Sequence, residues 1–566
     1  MITLNNINLS SIDLSGIDLR GVKLGVGGRG GGSGDGFPQL PGDVTRWHFG
    51  GLTNEMMAAM DDPRIEDADH KGRFLSFKNF AWKGMSGVGG YVVDIDEWGT
   101  NSTAAYFERN SIKITATFKE NASLGLLYHN IKLRQSCVLK VTGIPEGCDA
   151  FLDDRLGNRF YMSEDGVYEI IPSNFLAEAL YLSIEKYPER WYGSKLTIEQ
   201  LPLYPGFILS DGVDDFAVTE KELNFEDTYT VYTAFIPFQN NPANNMVLCG
   251  KNHLKDFYIT YSDLNRITFY SAEKLVFESL SKGFNILCCK RTPDKMVIKN
   301  LITDKSSEIL ANDLIDNPGL YYLWKSAVFA NYAKAAIAGQ IIDNGHFTTD
   351  EEDENILNWH KKQYPWLFPN QAWTVVGKTN EDEDRATIAN ITGNGNDLVL
   401  SNFGFIEGSG YNEEGEYAGY LVTDGVDDKI VSSVFGMGKD FTIVGEWKFI
   451  DNKKSGTGLV KGSSFYIYNT MIGLDLYINS GSVKNSLDGI KSINAACSDG
   501  RAYDRNWNEI LANTGNVVGS GGILEVSSSG GRFDRIAFKN LAIYPRILSK
   551  DDCIKAYNYL QTLKAK

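Results

Sequence analysis

From residue 47 onward, apolar side chains recur mostly at every second position. Ser111–Phe118 (SIKITATF), Cys137–Val141 (CVLKV) and Phe441–Phe449 (FTIVGEWKF) all alternate this way. Because neighbouring side chains of a strand point to opposite faces, the pattern predicts half-buried strands. Two segments switch to helical spacing, each behind a start signal. Thr349 with Glu352, and Ser549 with Asp552, place an oxygen acceptor at the cap and an acid three residues on. That arrangement satisfies orphan backbone N–H groups and suits the positive end of the helix dipole. After the second signal Ile554, Tyr557 and Leu560 form an apolar stripe, so each of two strand-rich stretches is predicted to end in a short helix.

The two stretches are copies of one unit, a self-similarity that governs the reading of everything else. Trp47–Glu55 reads WHFGGLTNE and Trp373–Glu381 reads WTVVGKTNE; Leu75–Phe80 (LSFKNF) answers Leu398–Phe403 (LVLSNF); Ser86-Gly87 answers Ser409-Gly410; Gly90–Val93 answers Gly419–Val422. The second copy runs straight on as GYLVTDGVDD to Asp428, whereas the first reaches its DGVDD only at Asp211–Asp215. An extra domain placed inside the first copy accounts for the gap, and its alternating segments predict a small jelly-roll-like sandwich. The expected division is an arm and Gly-rich linker (1–46), the first part of repeat one (47–94), the insert (95–203), the body of repeat one (204–366), a connecting segment repeating 47–94 (367–414) and the body of repeat two (415–566).

The arm differs in kind. Ile7, Leu9, Ile12, Leu14, Ile17, Leu19, Val22 and Leu24 alternate spacings of two and three, a five-residue period that resembles the turns of a pentapeptide-repeat β-helix. Roughly one coil of such a helix cannot bury a core by itself, since repeat folds need several stacked units. These residues are therefore expected to dock on another protein, another subunit or the first domain. Gly25–Gly36 would be a flexible tether, because glycine loses the most backbone entropy on ordering.

Length and composition sharpen the class. A chain of 566 residues exceeds a single core and implies several domains, while 28 Tyr, 30 Phe and 57 Gly favour short strands and tight turns. The formal net charge of −17 argues against a general grip on nucleic acid phosphates. No apolar run approaches a membrane span, and Met1–Ser10 lacks the basic start and apolar block of a secretory signal, so synthesis and folding in a cytoplasm are expected. The seven cysteines (137, 148, 249, 288, 289, 497, 553) are odd in number and form no C-x-x-C pair, which predicts buried thiols over a disulfide framework or zinc site.

Each DGVDD, followed by alternating strands and a capped helix, resembles laminin-G-like modules of the concanavalin A-like lectin/glucanase superfamily, over about 204–366 and 415–566. The string from Trp373 to Asp428, with TNEDEDRATIANITGNGNDL, NFGF and GYLVTDGVDD, is similar to structural proteins of phages of gut Bacteroidales, including crAss-like phages. The fold this implies is mainly β: two concanavalin A-like β-sandwich modules, an inserted smaller β-sandwich and an extended arm. The function it implies is that of a virion tail, fibre or head-appendage protein, made in the host cytoplasm and displayed on the virion surface. Its expected partners are other virion proteins through the arm, further copies of itself as in a trimer, and bacterial surface polysaccharide, with no nucleic acid and no membrane.

Candidate chemistry is sparse. Glycan binding needs exposed aromatics beside polar groups on a rigid sandwich, and Trp447, Tyr466, Tyr468 and Trp507 are the candidates in the second module. Asp211, Asp214, Asp424 and Asp427 offer hard oxygens to calcium, although Asp and Gly in this order are first of all turn formers; no other cofactor is expected. Asp94-Ile95-Asp96-Glu97-Trp98 approaches the E-x-D-x-x-E strand of glycosidases, but the first position is Asp94 and the last acid is replaced by Gly99. No H-E-x-x-H or G-x-S-x-G occurs, and Gly377-Lys378-Thr379 lacks the first glycine of a phosphate loop, Ala372 standing there. A non-enzymatic protein is the expectation, with a capsule-depolymerising glycosidase or a purely scaffolding virion protein as the alternatives.

Overall fold

The computed structural model describes residues 36–565 apart from internal segments, of which 171–178, 239–245, 313–318, 326–331, 451–456, 479–485 and 512–520 exceed five residues; side chains between 451 and 492 also lie outside the description. The arm residues Ile7 to Leu24 fall outside the described residues. The rest is mainly β, in antiparallel sheets stacked as three sandwiches.

The first repeat forms two eight-stranded sheets. In one, Tyr229–Pro237 pairs along its whole length with Ala335–Asn344. The far edge of Ala335–Asn344 is shared by two shorter strands set end to end, Asp43–His48 and Tyr204–Leu209. The second repeat has the same arrangement: Thr442–Phe449 pairs with Ile536–Tyr544, whose other edge carries Gln371–Thr374 and then Tyr420–Val422. The facing sheets also match strand for strand, again with eight strands each. The duplicated sequence motifs therefore sit at equivalent places in two copies of one fold.

The insert leaves the first repeat after Gly87–Gly89 and returns at Tyr204–Leu209, two strands that pair with each other. In the second repeat the equivalent strands, Gly410–Asn412 and Tyr420–Val422, are joined directly. Inserting a domain at this hairpin leaves the parent sheet intact, because the two chain ends already lie side by side. The insert itself has two five-stranded sheets, one ordered Arg159–Met162, Asp149–Asp153, Ala179–Glu185, Gly125–Lys132, Gly99–Thr100, the other Gly166–Ile170, Cys137–Thr142, Lys195–Gln200, Lys113–Phe118, Ala105–Arg109. The chain crosses from sheet to sheet at most connections, which is jelly-roll topology.

Period-two alternation decides which core each side chain joins. In Tyr229–Pro237, Tyr229, Val231 and Phe235 point between the sheets toward Trp47, Phe77 and Trp324. Tyr232, Ala234 and Ile236 point outward, the shift between Ala234 and Phe235 being a β-bulge. The outward face is not solvated. Helix Asp350–Gln363 covers it, with the turn Pro365–Leu367 and the final helix Lys550–Thr562. The same apolar cluster continues into Val444, Ala495, Tyr503, Trp507, Ala542 and Tyr544 of the second repeat, so one apolar core joins the outer faces of both sandwiches, each of which keeps its own core between its sheets.

Specific contacts lock this junction. Tyr559 Oη accepts from Phe284 N (2.9 Å) and its ring meets Trp366 edge-on at 5.7 Å. Tyr544 Oη donates to Trp366 O (2.9 Å), and Arg546 Nη1 donates to Lys361 O (3.0 Å). Both helix starts follow the sequence. Thr349 and Glu352 form a reciprocal capping box, and Ser549 Oγ accepts from Asp552 N (3.1 Å). All seven cysteines are buried free thiols. Among the described residues, no helix is long and apolar enough to cross a membrane.

Candidate functional site

The duplicated motifs converge on a single polar knot in each repeat. The Asn of each TNE triplet clamps the strand that follows the Ser-Gly pair. Asn54 Oδ1 accepts from Val88 N (2.7 Å) while its Nδ2 donates to Val88 O (3.1 Å). Asn380 makes the same two bonds with Tyr411 N (2.8 Å) and O (2.8 Å). Only glycine fits beside this clamp: a Cβ at Gly87 or Gly410 would lie 2.5 Å from the Asn oxygen, and their φ values are 139° and 157°. The Asn of each NF pair takes a left-handed backbone and donates from Nδ2 to the DGVDD turn, Asn79 to Asp214 O (3.1 Å) and Asn402 to Asp427 O (3.0 Å).

The turns close the knot. Asp211 Oδ1 accepts from Val213 N (2.8 Å) and Asp424 Oδ1 from Val426 N (2.7 Å), as Asx turns do. The last Asp of each turn is buried: Asp215 Oδ2 accepts from Asp211 N (3.0 Å), and Asp428 Oδ2 from Asp424 N (2.7 Å). Ser409 Oγ donates to Asp428 Oδ1 (3.1 Å). Burial pushes both carboxyls up to about 6, against the pull of these donors. Carboxylate oxygens of Asp211, Asp214 and Asp215 lie within 4.8 Å of one another, as do those of Asp424, Asp427 and Asp428. The turn and its hydrogen bonds account for this geometry by themselves, so calcium is not needed to explain it.

The aromatic candidates fare differently. Trp447 is 2% exposed among Trp373, Phe449 and Phe538, and Trp507 is 1% exposed against Tyr503 and Tyr557. Both are core residues and cannot reach a sugar, which corrects the expectation for them: each packs on a face of the sheet that another layer covers. Tyr466 and Tyr468 lie on strand Phe465–Asn469, with side chains outside the description. The exposed large aromatics among the described residues are Tyr106, Tyr161 and Tyr187, all on the inserted sandwich. Tyr106 and Tyr187 are flanked by Lys119 and Arg190. Tyr106 alternates with inward residues on Ala105–Arg109, a signal that period-two analysis of the insert carries. In the stretch that approaches a glycosidase strand, Ile95–Glu97 forms a 3-10 turn instead of a strand, and Asp94 lies outside the described residues.

Two cavities stand out. One of about 420 Å³ opens between the first repeat and the insert, lined by Glu55, Tyr91, Lys113 and Glu199. Burial, followed by the charges of Glu55 and Glu199, pushes Tyr91 up to about 12. The other, of about 300 Å³, lies at the junction of the two repeats. Phe284, Phe368 and Tyr559 line it together with Lys361, Arg546 and Lys564.

No family model and no curated protein matches the sequence. Among solved structures, the chain is similar to botulinum neurotoxin type C, which enters cells in dependence on two ganglioside molecules, at 9% identity over 60% of this chain and 88% of that one, with a TM-score of 0.26. It is also similar to the binding domain of Paraclostridial Mosquitocidal Protein 1 at 11% identity over 57% and 86%, with a TM-score of 0.27. The Ca2+-bound exoplasmic/lumenal domain of VIP36 matches at 7% identity over 26% and 82%, with a TM-score of 0.19. At these values the likeness assigns neither a function nor a superfamily to the chain, whose class is that of a multi-sandwich β protein.

Proposed function

We propose that the protein is a non-catalytic binding and structural protein, a surface component of a bacteriophage particle whose lectin-like sandwiches engage bacterial surface polysaccharide. The observation that carries this reading is the shared core that joins both repeats. A protein that closes and opens on a substrate needs a weak, polar interface between its parts, whereas here helix Lys550–Thr562 is buried against both sandwiches. Such a body suits rigid display of surfaces. The resemblance of Trp373–Asp428 to phage structural proteins supplies the virion setting, and the arm from Ile7 to Leu24 is the segment that would dock on other virion proteins.

Mass spectrometry of purified virions tests the setting, with the chain expected among the particle proteins; its absence from particles while abundant in infected cells refutes it. A glycan array tests the binding, and an array without binders leaves a scaffolding role. The competing depolymerase reading has one specific place to stand, the cleft holding Glu55 and Glu199 beside Tyr91. Paired carboxyls are what glycoside hydrolysis requires. New reducing ends released from host capsule by the protein, and lost in Glu55→Gln or Glu199→Gln, would establish that activity; their absence favours binding alone.

A further inference from the structure

The cavity at the junction of the repeats differs from the rest of this acidic surface. The chain carries a net charge of −17, yet the charged side chains lining this pocket are Lys361, Arg546 and Lys564. Among the described residues, neither Lys361 nor Arg546 forms an ion pair with a carboxylate. Both are half-buried. Burial, and then the charge of Arg546, lowers the Lys361 ammonium from its usual range. Burial lowers the Arg546 guanidinium as well. The charge of Glu354 offsets part of this at Lys361, but with no carboxylate paired to either cation their partial desolvation costs free energy that a bound anion would recover. The Arg546 Nη1 bond to Lys361 O occupies one donor of the guanidinium, and an arginine fork has further donors suited to a carboxylate.

The same lining is partly aromatic. Phe284 and Phe368 meet edge-on at 5.5 Å, and Tyr559 and Leu563 line the cavity with them. An apolar concavity of about 300 Å³ with a few convergent polar groups has the size and make-up of a small-molecule site. Asn370 and Thr392 add neutral polar groups to the lining; the Thr392 hydroxyl donates to Asn390 Oδ1 (2.9 Å) and keeps lone pairs able to accept from a ligand hydroxyl.

The geometry points to a binding site for an acidic saccharide unit at the junction of the two repeats, its carboxylate held by Lys361 and Arg546 and its ring face laid on Phe368. This deepens the glycan-binding reading and rests on it. It also gives the shared core a role: the cations come from the helix Asp350–Gln363 of one repeat and from the segment just before the final helix of the other, so the site exists only when both are docked.

Isothermal titration of the full chain with trigalacturonic acid, its fully methyl-esterified form and sodium acetate tests the site. Saturable binding of the acid is expected, with affinity at least tenfold weaker for the neutral ester and for acetate. The same loss is expected in Lys361→Gln, which leaves the backbone carbonyl that anchors Arg546 in place, and in Phe368→Ala. Binding of the acid that is unchanged in Lys361→Gln and in the Lys361→Gln/Arg546→Gln pair overturns the assignment, as does acetate binding as tightly as the saccharide. If a neutral glycan from the array binds equally well to the wild type and to Lys361→Gln while trigalacturonic acid does not bind, the junction site fails and the lectin reading survives. If no glycan binds at all, both fail.

Discussion

A methyl group placed at Gly283 tests whether the two sandwiches are locked by the final helix. A Cβ there would collide with Tyr559 Oη and meet Leu563 Cδ2 at 3.4 Å. The loop cannot easily yield, because Gly283 N donates to Ser281 Oγ (3.1 Å) and Gly283 O accepts from Asn285 Nδ2 (2.8 Å). Tyr559 is equally fixed, 4% exposed, bonded to Phe284 N and set against Trp366. Overpacking at such a contact costs about 1–3 kcal/mol, so Gly283→Ala is expected to destabilise by that amount. Tyr559→Phe removes the colliding oxygen but strands the buried Phe284 N–H, at a cost of about 1–3 kcal/mol. In the double variant the new methyl occupies the space that the hydroxyl left. The pair is then expected to fall short of the sum of the singles by at least about 1 kcal/mol, the signature of direct contact. Urea denaturation of the four proteins, read at the first transition, measures the cycle. Additive effects within about 0.5 kcal/mol would show that Tyr559 does not sit over Gly283, and the shared core would lose its main lock.

Two further predictions concern acid. Asp428 is raised from 3.8 to about 6 by burial, so the folded state binds its proton more readily than the unfolded one; this contribution to stability is full below pH 3.8 and is lost as pH rises through about 6. Asp428→Asn keeps the acceptor for Asp424 N and can donate to Ser409, so thermal melts across pH 4–7 should show that pH dependence removed and stability at pH 7 equal or higher by up to about 2 kcal/mol; a marked loss at pH 7 would mean the charge is wanted there, as by a cation. His360 is buried, donates Nδ1 to Ile356 O (2.9 Å) and is lowered by burial from 6.5 to about 4. Its stabilising contribution is full above pH 6.5 and lost as pH falls through about 4. Comparison of wild-type and His360→Gln melts should therefore show a smaller acid loss in the variant, and identical profiles would refute the assignment.

The amino-acid sequence alone determined the repeat, the strands and the two capped helices, because these depend on local physics. A clamp needs Asn at one position and glycine at the position it touches, so TNE and Ser-Gly recur together. A strand with one face on a core alternates, and an acceptor three residues before an acid starts a helix. The hairpin interrupted by the insert was legible for the same reason: its two flanks match a continuous stretch in the other copy. What the local pattern cannot carry is which face of a strand another layer covers. By sequence Trp447 and Trp507 fit either a sugar-binding surface or, as most such aromatics do, the core, and packing across the sheets buried them; Tyr106, Tyr161 and Tyr187 reach solvent on the insert. The junction pocket was likewise invisible, since Phe284, Lys361, Phe368, Arg546 and Tyr559 are scattered over 276 positions, 284 to 559, and carry no shared motif. Only the docking of the final helix across both sandwiches brings them together, and that depends on long-range burial of apolar surface, which has no fixed spacing along a chain.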